Sequence, residues 1–245
     1  NLAASMPPVR FDFNVDAIDL DRYLPPGTDA EAEAPDDTAE ATPTEASDPD
    51  APIELPTEMM RQLDIDGTFS VGSVKISNLT TKDIVIPLKA SGGKIALQDM
   101  QAMLYEGKFD GTVGLDVSGD TPSYGVKMAL AGIQAEPLLT DLMQKDGFVS
   151  GGGEFNTDIT TGGNTVNAIK AGLNGNFNTE FTDGSINGIN IGYQIRRAKA
   201  ALSGKSLPEE EGLVKTDFSS LSMSGVFTNG VMNSDDLDMR SPLLR

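Results

Sequence analysis

The residue types that carry most enzyme chemistry are absent from this sequence. The 245 residues include no His and no Cys, which excludes Ser-His-Asp and Cys-His catalysis, Cys/His zinc sites and disulfide bonds. The 37 acidic side chains keep a two-carboxylate hydrolase compatible with the composition. No pair of carboxylates is marked out for that role by its position in the sequence. We therefore predict that the chain is not an enzyme, with no catalytic residue and no cofactor.

Two further patterns could hold a metal ion, and both favour a structural interpretation. Asp64–Gly67 has the residue types that begin a calcium-binding EF-hand loop, but such a loop needs more oxygen ligands and a Glu at its twelfth position. Instead, Phe69 and Val71 continue an alternation that is typical of a strand. Glycine clusters at 151–153 and 162–163 lack the repeating frame of calcium-binding β-rolls, so they predict turns. No metal site is predicted.

The alternation around Gly67 is the pattern that recurs through the chain. From 63 to 71 apolar and polar residues alternate, which predicts a strand with one face on apolar matter and the other in water. Similar Gly-x-apolar entries stand at 111–113, 153–155 and 175–177. The candidate apolar face comprises Ile65, Phe69, Val71, Val113, Leu115 and Phe177. This face packs either against its own core or against another apolar ligand.

Strand patterns at about ten-residue spacing, with few helices between them, dominate the sequence. Strands are predicted at 63–71, 73–78, 83–90, 93–97, 102–108, 109–118, 122–131, 148–160, 173–181, 214–228 and 231–239, and helices at 53–63, 136–145, 164–171 and 189–202. Short Gly, Asn and Asp turns join the strands, Gly72 among them. The predicted fold class is mainly β (α+β): a long curved antiparallel meander that forms a trough or a sandwich, with about three short helices.

The beginning of the chain divides into three parts. A strand at 11–15 and a helix at 16–24, with Asp16 as its N-cap, belong to the β domain and fill most of 1–26. Residues 27–52 contain nine acids, no Lys or Arg, and no apolar residue larger than Ala, which predicts a disordered acidic linker. The β-rich domain then covers 53–245.

Charge limits the partners. The net charge of −19 argues against nucleic acid and against docking on anionic lipid headgroups, since both need clustered Lys and Arg. Without the nine acids of the linker, the other 219 residues still carry a net charge of −10.

The helix predicted at 189–202 has two sides. Its apolar stripe comprises Ile191, Ile195, Ala198 and Leu202, and its basic residues lie off the stripe at Arg196, Arg197 and Lys199. The basic side is either a headgroup contact or a solvated face beside a stripe that packs on the core. We favour the second interpretation.

Several motifs, taken in order, make the chain resemble the C-terminal part of the AsmA family of bacterial envelope proteins. They are Asp19-Leu20-Asp21-Arg22-Tyr23-Leu24 before an acidic insert, Leu104-Tyr105-Glu106-Gly107, Asp183-Gly184-Ser185-Ile186-Asn187-Gly188-Ile189-Asn190-Ile191, Thr216-Asp217-Phe218-Ser219 and Ser241-Pro242-Leu243-Leu244-Arg245. The resemblance covers nearly everything outside 27–52. Glu106 departs from the more usual Gly of the family.

The resemblance implies a non-catalytic protein of the periplasm, held to the inner membrane by an anchor that is missing from this fragment. It also implies a role in outer-membrane biogenesis and phospholipid transport or homeostasis through an apolar β-groove, with phospholipid or another acyl lipid as ligand and envelope proteins as possible partners. In the family-like motif of Asp19, Asp21, Arg22 and Tyr23, we expect Tyr23 to pack with Leu20 while the charged side chains cap and pair. The alternative function is a structural scaffold that binds a partner at an open sheet edge.

Overall fold

A computed structural model describes residues 7–20, 48–76, 79–144, 147–206 and 214–242 of the chain. The strands are β1 Val9–Asp19, β2 Asp64–Ile76, β3 Leu79–Ser91, β4 Lys94–Leu104, β5 Gly107–Asp116, β6 Ser123–Gln134, β7 Gly152–Gly162, β8 Asn174–Asn187, β9 Lys215–Thr228, β10 Val231–Asn233 and β11 Asp238–Arg240. The helices are α1 Thr57–Arg61, α2 Ala135–Met143, α3 Val166–Ala171 and α4 Ile191–Leu202.

These strands form one open sheet in which β1 to β10 follow each other in chain order, and β11 joins β9. Neighbours from β2 onward pair antiparallel, so the predicted mainly-β meander with a few short helices is confirmed. β1 is the exception, because it runs parallel to β2. Parallel neighbours need a long crossover, and the residues from Leu20 to Leu63 supply it. Of the two predicted arrangements, the described strands form a single sheet rather than two stacked ones.

Two predictions about the first strands are wrong. The turn predicted at Gly72 is absent, because β2 continues through it from Asp64 to Ile76. A Cβ atom at Gly72 would lie 2.6 Å from the backbone oxygen of Asp16, so this glycine permits close approach of β1. The helix predicted from Asp16 also does not begin there, since β1 extends to Asp19 and pairs with β2. Pairing along β2 outweighs the local helical pattern; residues 21–24 lie outside the described part.

Several hairpins have two-residue turns, and the one at 105–106 interrupts the strand predicted at 102–108. Tyr105 and Glu106 form the two-residue connection between β4 and β5, with positive φ values of 46° and 67°. Positive φ at both central residues is the geometry of a type I′ hairpin turn. Gly92 and Gly93 connect β3 to β4 in the same way, with φ values of 57° and 83°.

The chain before β2 contacts the connection between β7 and β8. The backbone N–H of Asn167 donates to the carbonyl oxygen of Pro49 (3.1 Å), and that of Ile53 donates to the oxygen of Asn164 (2.6 Å). Within α1, the Arg61 guanidinium donates to the Val117 oxygen, at 2.7 Å. The predicted domain boundaries at 26 and 52 stay predictions, because residues 21–47 lie outside the described part.

The buried core of the described residues is small. One cluster contains Ala135, Val149 and Phe218, with five partly buried side chains around it: Leu139, Phe181, Ile186, Leu221 and Met239. The largest fully buried side chains are Val117 and Thr216. The cluster joins α2 to the end of β8 and the start of β9, so most of the sheet lies outside it.

Candidate functional site: the apolar face of the sheet

A continuous row of apolar residues and glycines crosses the whole sheet. Directly paired residues on neighbouring strands point to the same side of a sheet. Following the register from β1 to β10 gives one partner per strand: Phe11, Gly67, Leu88, Leu97, Val113, Val126, Ile159, Gly175, Phe227 and Met232. We call the side of the sheet that carries this row the apolar face.

All six residues predicted for an apolar strand face lie on this side. Val113 belongs to the row itself, and the other five stand two or four residues from a member of it on the same strand: Ile65, Phe69, Val71, Leu115 and Phe177. Period-two alternation was therefore sufficient to group residues from three strands that are far apart in sequence. Their role as lipid contacts stays a prediction.

Little of the described chain covers the apolar face. Among the six residues only Val71 is buried; Ile65, Val113, Leu115 and Phe177 are half-buried, and Phe69 is 37% exposed. Side chains that pack only against their neighbours on the same sheet become half-buried. A second sheet or a layer of helices would bury them fully. The apolar face is thus a large surface of the kind that monomeric soluble proteins seldom leave exposed.

Glycines on this face make room for aromatic rings. The Phe11 ring lies over Gly67, where a Cβ atom would be 2.5 Å from Cε1 of Phe11. In the same way the Phe177 ring lies over Gly225, where the distance would be 2.4 Å. Each pair is a direct register partner. Because the rings lie across neighbouring strands, they smooth the face into a continuous apolar floor.

The opposite face of the sheet is polar. Its rows alternate with the apolar ones, and one of them runs Thr112, Lys127, Asp158, Asn176 from β5 to β8. This row lines a concavity of about 560 Å³. Surface ion pairs such as Lys127–Asp158, at 3.5 Å, lie on this side. A ligand on one face therefore contacts apolar side chains, whereas a ligand on the other face contacts polar ones.

One end of the apolar face is closed by α2. Leu139 of this helix packs against the core cluster, as do Phe181 and Leu221 of the sheet. The turn at Tyr105 is tied to α2, because its hydroxyl donates to Oδ2 of Asp141 at 2.5 Å. Burial of the phenol, then the bond to Asp141, raises the pKa of Tyr105 to about 12.

Helix α4 differs from the prediction in an informative way. Its start is fixed, since Oγ1 of the buried Thr216 accepts from the Ile191 N–H (2.9 Å) and donates to the Ile189 oxygen (2.6 Å). The predicted apolar stripe, however, is exposed beyond the half-buried Ile191. Ile195 is 53% exposed and Leu202 is 90% exposed. The core packing expected for the stripe is therefore not found at these two residues. The basic side is exposed, as expected for a solvated face, at Arg196, Arg197 and Lys199.

The family-like motif near the start of the chain is only partly described. Asp19 ends β1 in register with Lys75 of β2, and Asp21, Arg22 and Tyr23 lie outside the described residues. The sequence reasoning missed the unbroken row across ten strands, because register between distant strands cannot be obtained from alternation within each one. The Gly-x-apolar entries at 111, 153 and 175 were the signal from which it could have been found.

The described ranges also lack two other kinds of feature. No helix in them has the length and apolar character needed to cross a membrane. Within the same ranges, no group of three or more His, Cys, Asp or Glu side chains is arranged to hold a metal ion.

Comparison with known proteins agrees with the motifs and the fold. Searches of curated proteins and of solved structures each found no match. The sequence model of the AsmA family matches residues 2–237, which is nearly the whole chain. The described part supplies the β-rich architecture with its one-sided apolar sheet. The chain therefore belongs to the AsmA family, a family of bacterial envelope proteins that is generally non-enzymatic.

Proposed function

We propose that this chain is a non-catalytic periplasmic protein that binds the acyl chains of phospholipid on its apolar face and serves lipid transport or homeostasis in outer-membrane biogenesis. The observation that carries the proposal is the row of apolar residues and glycines across ten strands, with little of the described chain packed on it. Family membership supports the envelope setting.

The mechanism is desolvation. An acyl chain that moves from water onto apolar side chains gains about 0.8 kcal/mol for each CH₂ group it buries. The row offers no hydrogen-bonding side chain from Phe11 to Met232, so it favours a ligand without polar groups along its length. A phospholipid satisfies this condition if its headgroup stays in water while its acyl chains lie on the face.

The shape of the apolar face favours movement of a bound lipid from strand to strand over its permanent storage at one place. Its floor is continuous from strand to strand, and glycines such as Gly67 and Gly175 interrupt side-chain bulk without introducing polarity. An acyl chain that lies on such a floor makes similar contacts at each strand. No step along the row therefore demands that the ligand cross a polar barrier.

Lipid extraction and mass spectrometry of the purified full chain test the proposal. The test variant is Val113→Asp, on the apolar face, and the matched control is Thr112→Asp, the preceding residue on the polar face. We expect phospholipid to co-purify with the parent chain and with the control, and to fall at least about tenfold in Val113→Asp. The physical reason is that a carboxylate on the floor must either stay hydrated or be desolvated at high cost.

A more conservative variant controls for loss of lipid that is caused by misfolding. Val113→Thr combined with Val126→Thr keeps the side-chain shape and places two hydroxyls on neighbouring strands of the row. Circular dichroism establishes that each variant is folded. Equal lipid content in the parent, the Thr double variant and Val113→Asp would overturn the proposal.

A second candidate function is a scaffold that binds a partner strand. It is favoured by the outer edge of β1, which pairs with no other described strand along its 11 residues. An open edge offers backbone hydrogen bonds to an added strand. The test is a pull-down with the full chain: protein partners that are captured while no lipid is bound would favour the scaffold.

A further inference from the structure

Helix α4 is a basic amphipathic helix that projects from an acidic protein. Residues 189–206 contain four basic side chains and no acidic one, in a chain with a net charge of −19. The basic residues are Arg196, Arg197, Lys199 and Lys205. Glu209, Glu210 and Glu211 follow in the sequence, outside the described residues. The local sign of charge along the helix is thus opposite to that of the whole chain.

The apolar stripe of α4 is turned away from the body of the protein. Gly192 in the first turn is the buried residue of the helix, and Ala200 near its end is half-buried. Ile195, Ala198 and Leu202 lie at helical spacing on another side, and all three are exposed. Ile189, just before the helix, adds a further side chain that is 53% exposed. The helix therefore presents apolar and basic surface together.

Within the described part of the chain, hydrogen bonds hold the helix at its beginning. Asn190 is the N-cap, with its side-chain oxygen accepting from the Tyr193 N–H at 2.8 Å, and Thr216 holds the Ile191 N–H. Lys199 and Leu202 stand two and three turns further on and are exposed. Docking of the outer turns would need no rearrangement of these bonds.

We propose that α4 docks on the surface of an anionic lipid bilayer. An apolar stripe with flanking Lys and Arg is the pattern of a helix that lies in the membrane interface, where apolar side chains enter the acyl boundary and basic ones meet anionic headgroups. Arg196 and Arg197 lie away from the stripe, but their long side chains can extend towards the headgroups. The proposal does not depend on acyl binding by the apolar face.

The negative charge of the whole chain does not oppose such docking strongly. At physiological ionic strength electrostatic interactions are screened over about 8 Å. The electrostatic attraction to the bilayer therefore depends mainly on the charges of the helix that contacts it. The helix leaves the sheet between the end of β8 and the start of β9. Docking therefore brings that end of the sheet to the bilayer surface.

Co-sedimentation of the full chain with lipid vesicles tests the proposal. The vesicles contain either phosphatidylglycerol mixed with phosphatidylcholine or phosphatidylcholine alone, and the charge variant combines Arg196→Gln, Arg197→Gln and Lys199→Gln. Each basic residue near an anionic surface contributes about a factor of five to binding. We expect the charge variant to lose binding to anionic vesicles by on the order of 100-fold, and the parent chain to bind phosphatidylcholine weakly.

Two matched variants separate the contributions. Lys82→Gln, Lys89→Gln and Lys170→Gln together remove the same charge from exposed sites elsewhere, and binding should stay within about threefold of the parent chain. Ile195→Gln with Leu202→Gln keeps every charge and should weaken binding at least about tenfold, since two apolar side chains no longer enter the bilayer.

Three results would overturn the proposal. One is equal binding of the parent chain and the helix charge variant to anionic vesicles. Another is equal loss in the control charge variant, which would show a general charge effect. The third is a dimer in analytical ultracentrifugation that dissociates in Ile195→Gln with Leu202→Gln while vesicle binding is unchanged, because a second copy would then cover the stripe. Unfolding midpoints of all variants within a few degrees of the parent make these readings comparable.

Discussion

At the scale of single residues, Thr216 connects the sheet to the projecting helix. It is 1% exposed, accepts a hydrogen bond from the first N–H of α4 and donates one to the chain just before it. Sequence alone placed Thr216 within a family-like motif, without a role. The structure gives it one: it fixes where α4 leaves the sheet.

Replacement of Thr216 by Val should destabilise the fold by about 1–3 kcal/mol, since the Ile191 N–H and the Ile189 carbonyl lose their partner at this buried site while the shape is kept. Urea unfolding measures the change. Thr216→Ser, which keeps the hydroxyl, should recover most of the loss. Equal stability of the parent and Thr216→Val would show that water replaces the hydroxyl and that the helix start is not held in this way.

The Tyr105 hydroxyl should lose its proton at a higher pH than that of an ordinary tyrosine. Its pKa lies at about 12, above the ordinary 10.0, because of burial first and the Asp141 carboxylate second. Since the folded pKa is the higher one, the neutral phenol stabilises the fold below pH 10, and this contribution is lost as the pH rises from 10 to 12. Spectroscopic titration of tyrosinate measures it. Asp141→Asn should lower the pKa of Tyr105, and an unchanged titration in that variant would contradict the pairing.

At the scale of elements, glycine placement on the apolar face is a condition of the fold. Gly225 lies under the Phe177 ring, whereas Gly114 on β5 has no atom within 4 Å of the position a Cβ would take. Gly225→Ala should therefore cost about 1–3 kcal/mol, because the ring must move. Gly114→Ala should be neutral or slightly stabilising. Thermal unfolding of the two variants compares them, and a similar loss in both would argue against the ring-over-glycine packing.

The sequence predicts the elements well where local pattern decides them. Alternation located most strands, and the Gly92–Gly93 turn followed from its residue types. The Tyr105–Glu106 turn did not, since a strand was predicted across it at 102–108. Prediction from sequence failed where pairing with a strand that is distant in sequence determines the local structure. Asp16–Asp19 has a helical pattern but pairs with β2, and Gly72 resembles a turn residue but accommodates the backbone of β1.

The same distinction applies to the candidate site. Membership of the apolar face could be predicted from the parity of residues such as Ile65 and Val113. The degree of cover could not, because it depends on where the helices lie. For α4 the stripe was visible in sequence, but whether it faced the core or solvent was decided by its anchoring at Thr216.

At the scale of the whole molecule, total charge misleads as a guide to partners. The value of −19 argues against anionic surfaces, yet four of the basic residues are grouped in and just after one projecting helix. Apolar surface is equally uneven, since one sheet face carries it and the other is polar. The molecule combines a long apolar floor with a basic helix at one end, which suits a protein that handles lipid next to a bilayer.

Site-specific photo-crosslinking in bacterial cells that produce the full chain tests the central claim most directly. A photoreactive amino acid is placed at 113, on the apolar face, or at 112, the neighbouring half-buried position on the polar face, and adducts are identified by mass spectrometry. Acyl binding on the apolar face predicts phospholipid adducts at 113 that are at least about tenfold more abundant than at 112. Absence of lipid adducts at 113, or equal amounts at both positions, would contradict the account.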